Sequence, residues 1–376
     1  MTQHDVAVVG AGIVGLAHAW RAAVRGLKVV LLERSPIACG ASIRNFGMVW
    51  PIGQPPGPLF DTAMRSRELW LETAKGSGLW LNECGSLHLA HRADELAVLE
   101  EFRDAARGTN IAVELLTPEQ TRNRTAAAKP DDLLGSMWSS TECCVNPEQA
   151  IYRLPAWLHE QHGVECCFGA NVIAAEDGVL SASDGRSWQA DRTVICSGHD
   201  FQTLFPEAFH NSGLRICKLQ MLRTVAQRDG WKLGPHVASG LTLRHYTSFA
   251  GCPSLAALKR RVAEETPELD RFGIHVMMSQ NQHGQVVLGD SHEYDDRISI
   301  FDRSEIDELM LRELGKQFVL PDWTIERRWH GIYAKHPEQP IFTAEPHPGV
   351  TVRVAPGGAG MTMSFGLAEQ FWQDQA

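Results

Sequence analysis

The segment VAVVGAGIVGLAHAW (residues 6–20), followed closely by KVVLLER (residues 28–34), restricts the fold more than any other part of this 376-residue chain. Residues 5–9 form an apolar, β-branched run of the kind that makes a strand buried on both faces. Gly10, Gly12 and Gly15 then spell G-x-G-x-x-G, and a helical pattern continues to about residue 25. In such a unit the first glycine makes the tight turn, the second lets a diphosphate approach the backbone, and the third allows close helix–strand packing. Ile13 and Val14 fall in the first helical turn, where free N–H groups and the positive end of the dipole face the phosphates. Residues 29–32 read as a second strand, with Glu33 at its C-terminal end and Arg34 next. A carboxylate there accepts hydrogen bonds from ribose hydroxyls and disfavours a 2′-phosphate. Three glycines alone make only a turn. Strand, glycines, helix, strand and acid in register indicate an adenine dinucleotide, and leave NAD and FAD unseparated.

The net charge of −10 excludes a general nucleic-acid binder, which needs a basic surface. No cationic stretch followed by an apolar core opens the sequence, and no apolar run approaches the ~20 residues of a membrane span. The expectation is a soluble, cytoplasmic protein. Nine cysteines occur without C-x-x-C spacing, and the neighbours Cys143–Cys144 and Cys166–Cys167 suit neither a disulfide nor zinc. They read as buried thiols.

A nicotinamide enzyme would continue with alternating strands and helices. Here the second strand gives way to SPIACGASIRNFGMVWPIG, rich in small and polar residues, which suits backbone running close to a flat ligand. Ser42, Arg44, Asn45, Phe46, Gly47 and Met48 are its candidate cofactor contacts. Further on, GANVIAAEDGVLSASDGRSWQA reads as an antiparallel meander turning at Asp177–Gly178 and Asp184–Gly185. DRTVICSGHD is then a buried strand ending in Ser197 and Gly198. Near the C-terminus, GVTVRVAPGGAGMTMS is a strand, a glycine-rich turn and a helix starting near Thr362. Gly358, Ala359, Gly360, Met361 and Thr362 would aim backbone N–H groups and a helix N-terminus at an anion. Such a dipole stabilises the negative charge of a reduced flavin.

These three pieces, in this order, resemble the D-amino acid oxidase superfamily of FAD-dependent oxidoreductases, which includes glycine oxidase, sarcosine oxidase and the D-amino acid dehydrogenases. The resemblance runs from Thr2 to the last helix. It is most specific at the fingerprint, at GASIRNFGM, at VICSG and at APGGAGMTMS. It implies an α/β fold: a Rossmann-like FAD-binding domain of the glutathione-reductase type, with an interleaved α+β substrate domain on a mostly antiparallel sheet. The expected division is 1–80, 145–212 and 325–376 for FAD, with 81–144 and 213–324 for substrate. It further implies that Val172 meets the adenine side through its backbone and that residues 358–362 face the flavin pyrimidine edge. Monomeric sarcosine oxidases tether flavin through a cysteine where this chain has Ala334, so the FAD is expected to be non-covalent. A lysine that promotes oxygen reactivity in those oxidases is matched by Val287. The electron acceptor therefore stays open between oxygen and a quinone-linked carrier.

For the substrate domain, strands are expected at residues 85–91, 216–226, 241–249, 273–281 and 285–294, and helices at 94–107 and 303–318. Strand alternation puts Arg244 and Tyr246 on one face of 241–249, with His245 on the other. Arg244 could form a forked pair with an anion, to which Tyr246 adds a hydroxyl. Lys218 and Gln220 share a face by the same rule. RRWHGIYAKHPEQP reads as a loop carrying His330, Tyr333, Lys335 and His336. GASIRNFGMVWPIGQPPG together with LTLRHYTSF is similar to a subgroup associated with bacterial phosphonate breakdown, which implies 2-aminoethylphosphonate or its N-methyl form as substrate. A phosphonate calls for two or three cations, available in Arg44, Lys218, Arg244 and Lys335. An α-carboxylate needs only one forked arginine. The alternatives are a glycine, sarcosine or D-amino acid oxidase or dehydrogenase, and a flavin-holding protein without turnover. Oligomeric state is not legible.

Overall fold

The computed structural model describes residues 3–294 and 298–375. Thr2, where the resemblance begins, lies outside the described residues.

The fingerprint strand Gln3–Val9 is the centre of an eight-stranded sheet. It pairs in parallel with Ser187–Ile195 on one side and with Val29–Glu33 on the other. Glu165–Phe168 extends the parallel arrangement beyond Val29–Glu33, and Val350–Val354 extends it beyond Ser187–Ile195. Val6, Ala7 and Val8 have no exposed surface, as a strand covered on both faces requires. One face is covered by helices Ile13–Ala23, Pro58–Ser77, Pro147–His162 and Gly360–Asp374, whose Trp20, Trp70, Phe365 and Trp372 pack together. The expected meander, Val172–Glu176, Val179–Ala182 and the start of Ser187–Ile195, continues the sheet at one edge and packs over its other face, where Val172, Leu180 and Trp188 cluster with Ala7, Val30 and Leu32. Asp177 (φ 50°), Gly178 (φ 76°) and Gly185 (φ 89°) take the left-handed backbone at its turns.

A second sheet of nine strands is mostly antiparallel. It runs from Glu293–Tyr294 through Arg215–Ala226, Gln285–Gly289, Met277–Gln280, His236–Ala238, Ser86–Ala90 and Gly135–Ser139 to Val113–Leu116. Helices Ala93–Ala106 and Ser304–Gln317 occur where the sequence places them. The α/β class with an interleaved second sheet is as expected.

Three segments differ. The strand expected at 285–294 is two, Gln285–Gly289 and Glu293–Tyr294, with residues 290–292 in neither. Residues 241–249 are not a strand but two short 3-10 turns, Gly240–Arg244 and Thr247–Phe249. Local bonds close this chain on itself: Thr242 N–H donates to Ser239 O and His245 N–H to Thr242 O, each at 3.0 Å. Buried Leu241 and Leu243 mimic a strand's alternation, yet both simply fill the core. Conversely, the segment read as a loop is the eleven-residue strand Ile325–Lys335, paired with Arg215–Ala226 along its length. It belongs to the second sheet, so the return to the first sheet falls after Lys335 rather than at residue 325.

Candidate active site

The two sheets enclose one connected cavity of ≈ 510 Å³. At one end lie Glu33 and Val172. From there it passes the fingerprint and the segments 38–48 and 353–363, and it ends among side chains of the second sheet.

The first end fits an adenine dinucleotide on local geometry. An added Cβ on Gly10 would sit 2.4 Å from Cys196 O, and one on Gly15 1.8 Å from Gly10 O. Gly10 also has φ 104°, which glycine adopts without strain. A Cβ on Gly12 would meet only Ser42 Oγ, at 3.1 Å, so Gly12 leaves its open side to the cavity. The helix beginning at Ile13 has no side-chain cap at Gly12; Ile13 N–H donates to Ser42 Oγ at 2.9 Å. Glu33 is buried, and its two carboxylate oxygens accept from Ala11 N–H and Ser35 N–H, both at 2.9 Å. Ser197, Gly198 and Arg34 line the same end, with Arg34 paired to Asp200 at 2.7 Å.

In the middle, Ser42, Arg44, Asn45, Phe46 and Met48 reach the cavity. Gly15 and Gly47 do not line it. Gly47 (φ 75°) accommodates Val145 O, which a Cβ would meet at 2.0 Å, and Asn45 Oδ1 accepts from Gly47 N–H at 2.8 Å. These two residues shape the loop. Gly358, Ala359, Gly360, Met361 and Thr362 line the cavity where the helix Gly360–Asp374 begins without a side-chain cap. Thr362 Oγ1 accepts from Trp50 N–H at 2.9 Å. Ala334 is buried at the cavity wall, with no thiol at that position to form a tether.

At the far end, the structure brings Tyr246, Tyr333 and Lys335 to the wall, over a floor of Leu219, Met221 and Met277. It turns Arg244, Lys218, Gln220 and His330 elsewhere. Arg244 pairs with Asp270 and donates to Leu241 O and Ile274 O, because a 3-10 turn rather than a strand sets its direction. Lys218 and Gln220 do share a face, but Leu219 and Met221 occupy the cavity side of their strand. Lys218, only 1% exposed, donates to Phe301 O at 2.6 Å and Ser299 O at 3.0 Å and pairs with Asp302 at 2.8 Å. Gln220 bonds to Arg303 O and Asp307, and His330 Nδ1 lies 2.8 Å from Asp302. The rear of the sheet is therefore where these groups find partners.

Sequence reasoning missed His275, Asp290, His292 and Tyr294, all on the cavity wall, and assigned His245 the wrong side. Ring centres are 4.1 Å apart for His245–His275, 5.1 Å for His275–His292 and 5.4 Å for His245–His292. Burial pushes His292 down to about 4, and His245 and His275 well below the ordinary imidazole value. Burial likewise raises Asp290 well above the usual carboxylate range, and Tyr294 to about 12. The signal was present: GDSHEY places Asp290, His292 and Tyr294 at alternate positions, the period of one strand face.

The family model described as FAD dependent oxidoreductase matches residues 5–372. An opine oxidase component of Rhizobium meliloti is 24% identical over 391 residues, spanning 98% of this chain and 92% of that protein. Glycine oxidase of Geobacillus kaustophilus is 28% identical over 211 residues, 52% of this chain and 55% of that protein. The crystal structure of glycine oxidase from Bacillus cereus shares the fold with a TM-score of 0.78 at 17% identity, over 99% of this chain and 96% of that one.

Proposed function

The chain belongs to the DAO family of FAD-dependent oxidoreductases, an enzyme acting on C–N donors, and on that premise we propose that its substrate is a small amine carrying an anionic group. The favoured member of that class is 2-aminoethylphosphonate or N-methyl-2-aminoethylphosphonate, oxidised to an imine that water hydrolyses to phosphonoacetaldehyde and an amine. The observation carrying this reading is the make-up of the cavity wall: two of the four expected cations line it, Lys335 at the far end with Tyr246 and Tyr333, and Arg44 in the middle. Two inward cations suit a phosphonate's charge better than the single forked arginine that an α-carboxylate needs.

The proposed cofactor contacts are those that line the cavity, from Gly12, Glu33 and Val172 at the adenosine end to residues 358–362. When bound, FAD supplies the redox chemistry, accepting the hydride of the carbon that bears nitrogen. The chain supplies position and environment. Tyr246 and Tyr333 keep their protons, since burial raises both above the ordinary phenol value, so each can donate to a substrate oxygen. Leu219, Met221 and Met277 form an apolar wall that lowers the pKa of a bound amine and favours its neutral, oxidisable form. The acceptor is oxygen or a quinone-linked carrier. The proposed location is the cytoplasm, in keeping with nine free cysteines. No helix of the described residues is long and apolar enough to cross a membrane.

Likeness to glycine oxidase favours a second reading, a glycine, sarcosine or D-amino acid oxidase or dehydrogenase. Anaerobic mixing with a panel of amines, following flavin absorbance near 450 nm (roughly, for oxidised flavin), separates the two. Faster bleaching by aminophosphonates supports the first reading. Faster bleaching by glycine, sarcosine or D-alanine replaces it with the second.

A further inference from the structure

We propose that His245, His275 and His292, with Asp290 beside them, form a binding site for one divalent transition-metal ion at the far end of the cavity. One nitrogen from each imidazole lies within 4.8 Å of the others. With a metal–nitrogen bond of ~2.1 Å, each ring centre sits about 3.2 Å from a shared ion, and ligand angles of 90–110° separate the centres by roughly 4.5–5.2 Å. The observed separations of 4.1, 5.1 and 5.4 Å bracket that range.

The outer hydrogen bonds orient two of the three rings, those of His275 and His292, as metal-bound histidines are oriented. His292 Nδ1 is 3.3 Å from Gly273 O, an acceptor, so the proton belongs on Nδ1 and the Nε2 lone pair is free. His275 Nδ1 is 3.4 Å from Thr242 Oγ1, whose own proton goes to Val276 O, so this ring takes the same tautomer. Both Nε2 atoms face Asp290: His275 Nε2 is 3.0 Å from Oδ1, and His292 Nε2 is 3.9 Å from Oδ2. Nitrogen and oxygen ligands of one tetrahedral ion are separated by about 3.3–3.5 Å. In these tautomers both Nε2 lone pairs face the Asp290 carboxyl, so with that group ionised no proton lies between them. Asp290 Oδ1 is buried and receives no well-directed hydrogen bond among the described residues despite its short distance to His275. A cation between them satisfies all three groups, and imidazole with carboxylate suits zinc or a similar borderline ion.

The test uses FAD-loaded protein, stripped with a chelator and dialysed against micromolar Zn²⁺, with bound zinc measured by mass spectrometry. The expected result is about one zinc per chain. His292→Gln and His245→Gln should each weaken binding by roughly 10- to 100-fold or more. His283→Gln, an exposed histidine on a distant turn, should retain it. Unchanged FAD content in each variant certifies folding, and if one variant loses FAD the other is read. Absence of zinc from the wild-type protein overturns the site. So does one equivalent retained by either correctly folded variant, which places the ion elsewhere. Neither result depends on which amine is oxidised.

Discussion

Glu33 and Ala11 stand 22 positions apart in the chain, and the Glu33 carboxylate accepts the Ala11 N–H at 2.9 Å. The bond ties the end of the second strand to the glycine turn, so one acid both shapes the loop and lines the end of the cavity proposed for adenosine. Glu33→Ala should weaken FAD binding by about 1–3 kcal/mol, the cost of a lost hydrogen bond to a charged group. Glu33→Gln, which keeps an acceptor, should lose less. Titration of apoprotein with FAD measures both.

Gly12 lines the cavity while Gly15 packs against Gly10, so the pair separates the proposed cofactor contact from packing. Gly15→Ala puts a methyl into Gly10 O and should lower the melting temperature even without FAD. Gly12→Ala meets only the Ser42 hydroxyl, so its apoprotein should melt near wild type while FAD affinity falls. Thermal melts of both apoproteins, set beside FAD titrations, decide it.

Arg244→Ala leaves the Leu241 and Ile274 carbonyls without their donor. The expected loss is about 1–3 kcal/mol of stability with KM for the amine little changed. A steep rise in KM with an unchanged melting temperature would return Arg244 to the substrate site.

Tyr246→Phe should do the reverse. Its hydroxyl has only the Met277 sulfur, at 3.7 Å, as an intramolecular partner among the described residues. Stability should hold, and KM should rise by about 2- to 13-fold, a neutral hydrogen bond's worth.

Burial pushes His88 down to about 3 and His236 to about 4, against 6.5 for a free imidazole. Below pH 6.5 the unfolded chain takes up protons that these folded imidazoles refuse. Stability is therefore complete above pH 6.5 and declines as the pH falls towards 4, by up to ~1.4 kcal/mol per pH unit for each group. Both ring nitrogens of His88 lack partners among the described residues, so the ring acts as an apolar plate against Trp50 and Phe249. His88→Leu should flatten the fall of melting temperature between pH 6.5 and 5. An unchanged slope would show that His88 titrates normally in the fold.

Residues 6–34 carried the first two strands of the first sheet by themselves, because a strand, a glycine turn, a helix and an acid are local features with local causes. The glycine turn before Thr362 was equally legible, since backbone dipoles need no partner from elsewhere to aim them. The substrate wall was not. Lys218 and Gln220 occupy the alternate positions that their strand predicts, but whether those positions face the cavity or the helix Ser304–Gln317 depends on what packs behind the sheet. Arg244 points away because 3-10 bonds closed a segment whose leucines only imitate strand alternation. His245, His275, Asp290 and His292 come from three separate segments and meet only once the sheet has assembled. Which face a side chain presents is a property of the assembled layers, and a single chain's periodicity leaves that choice open.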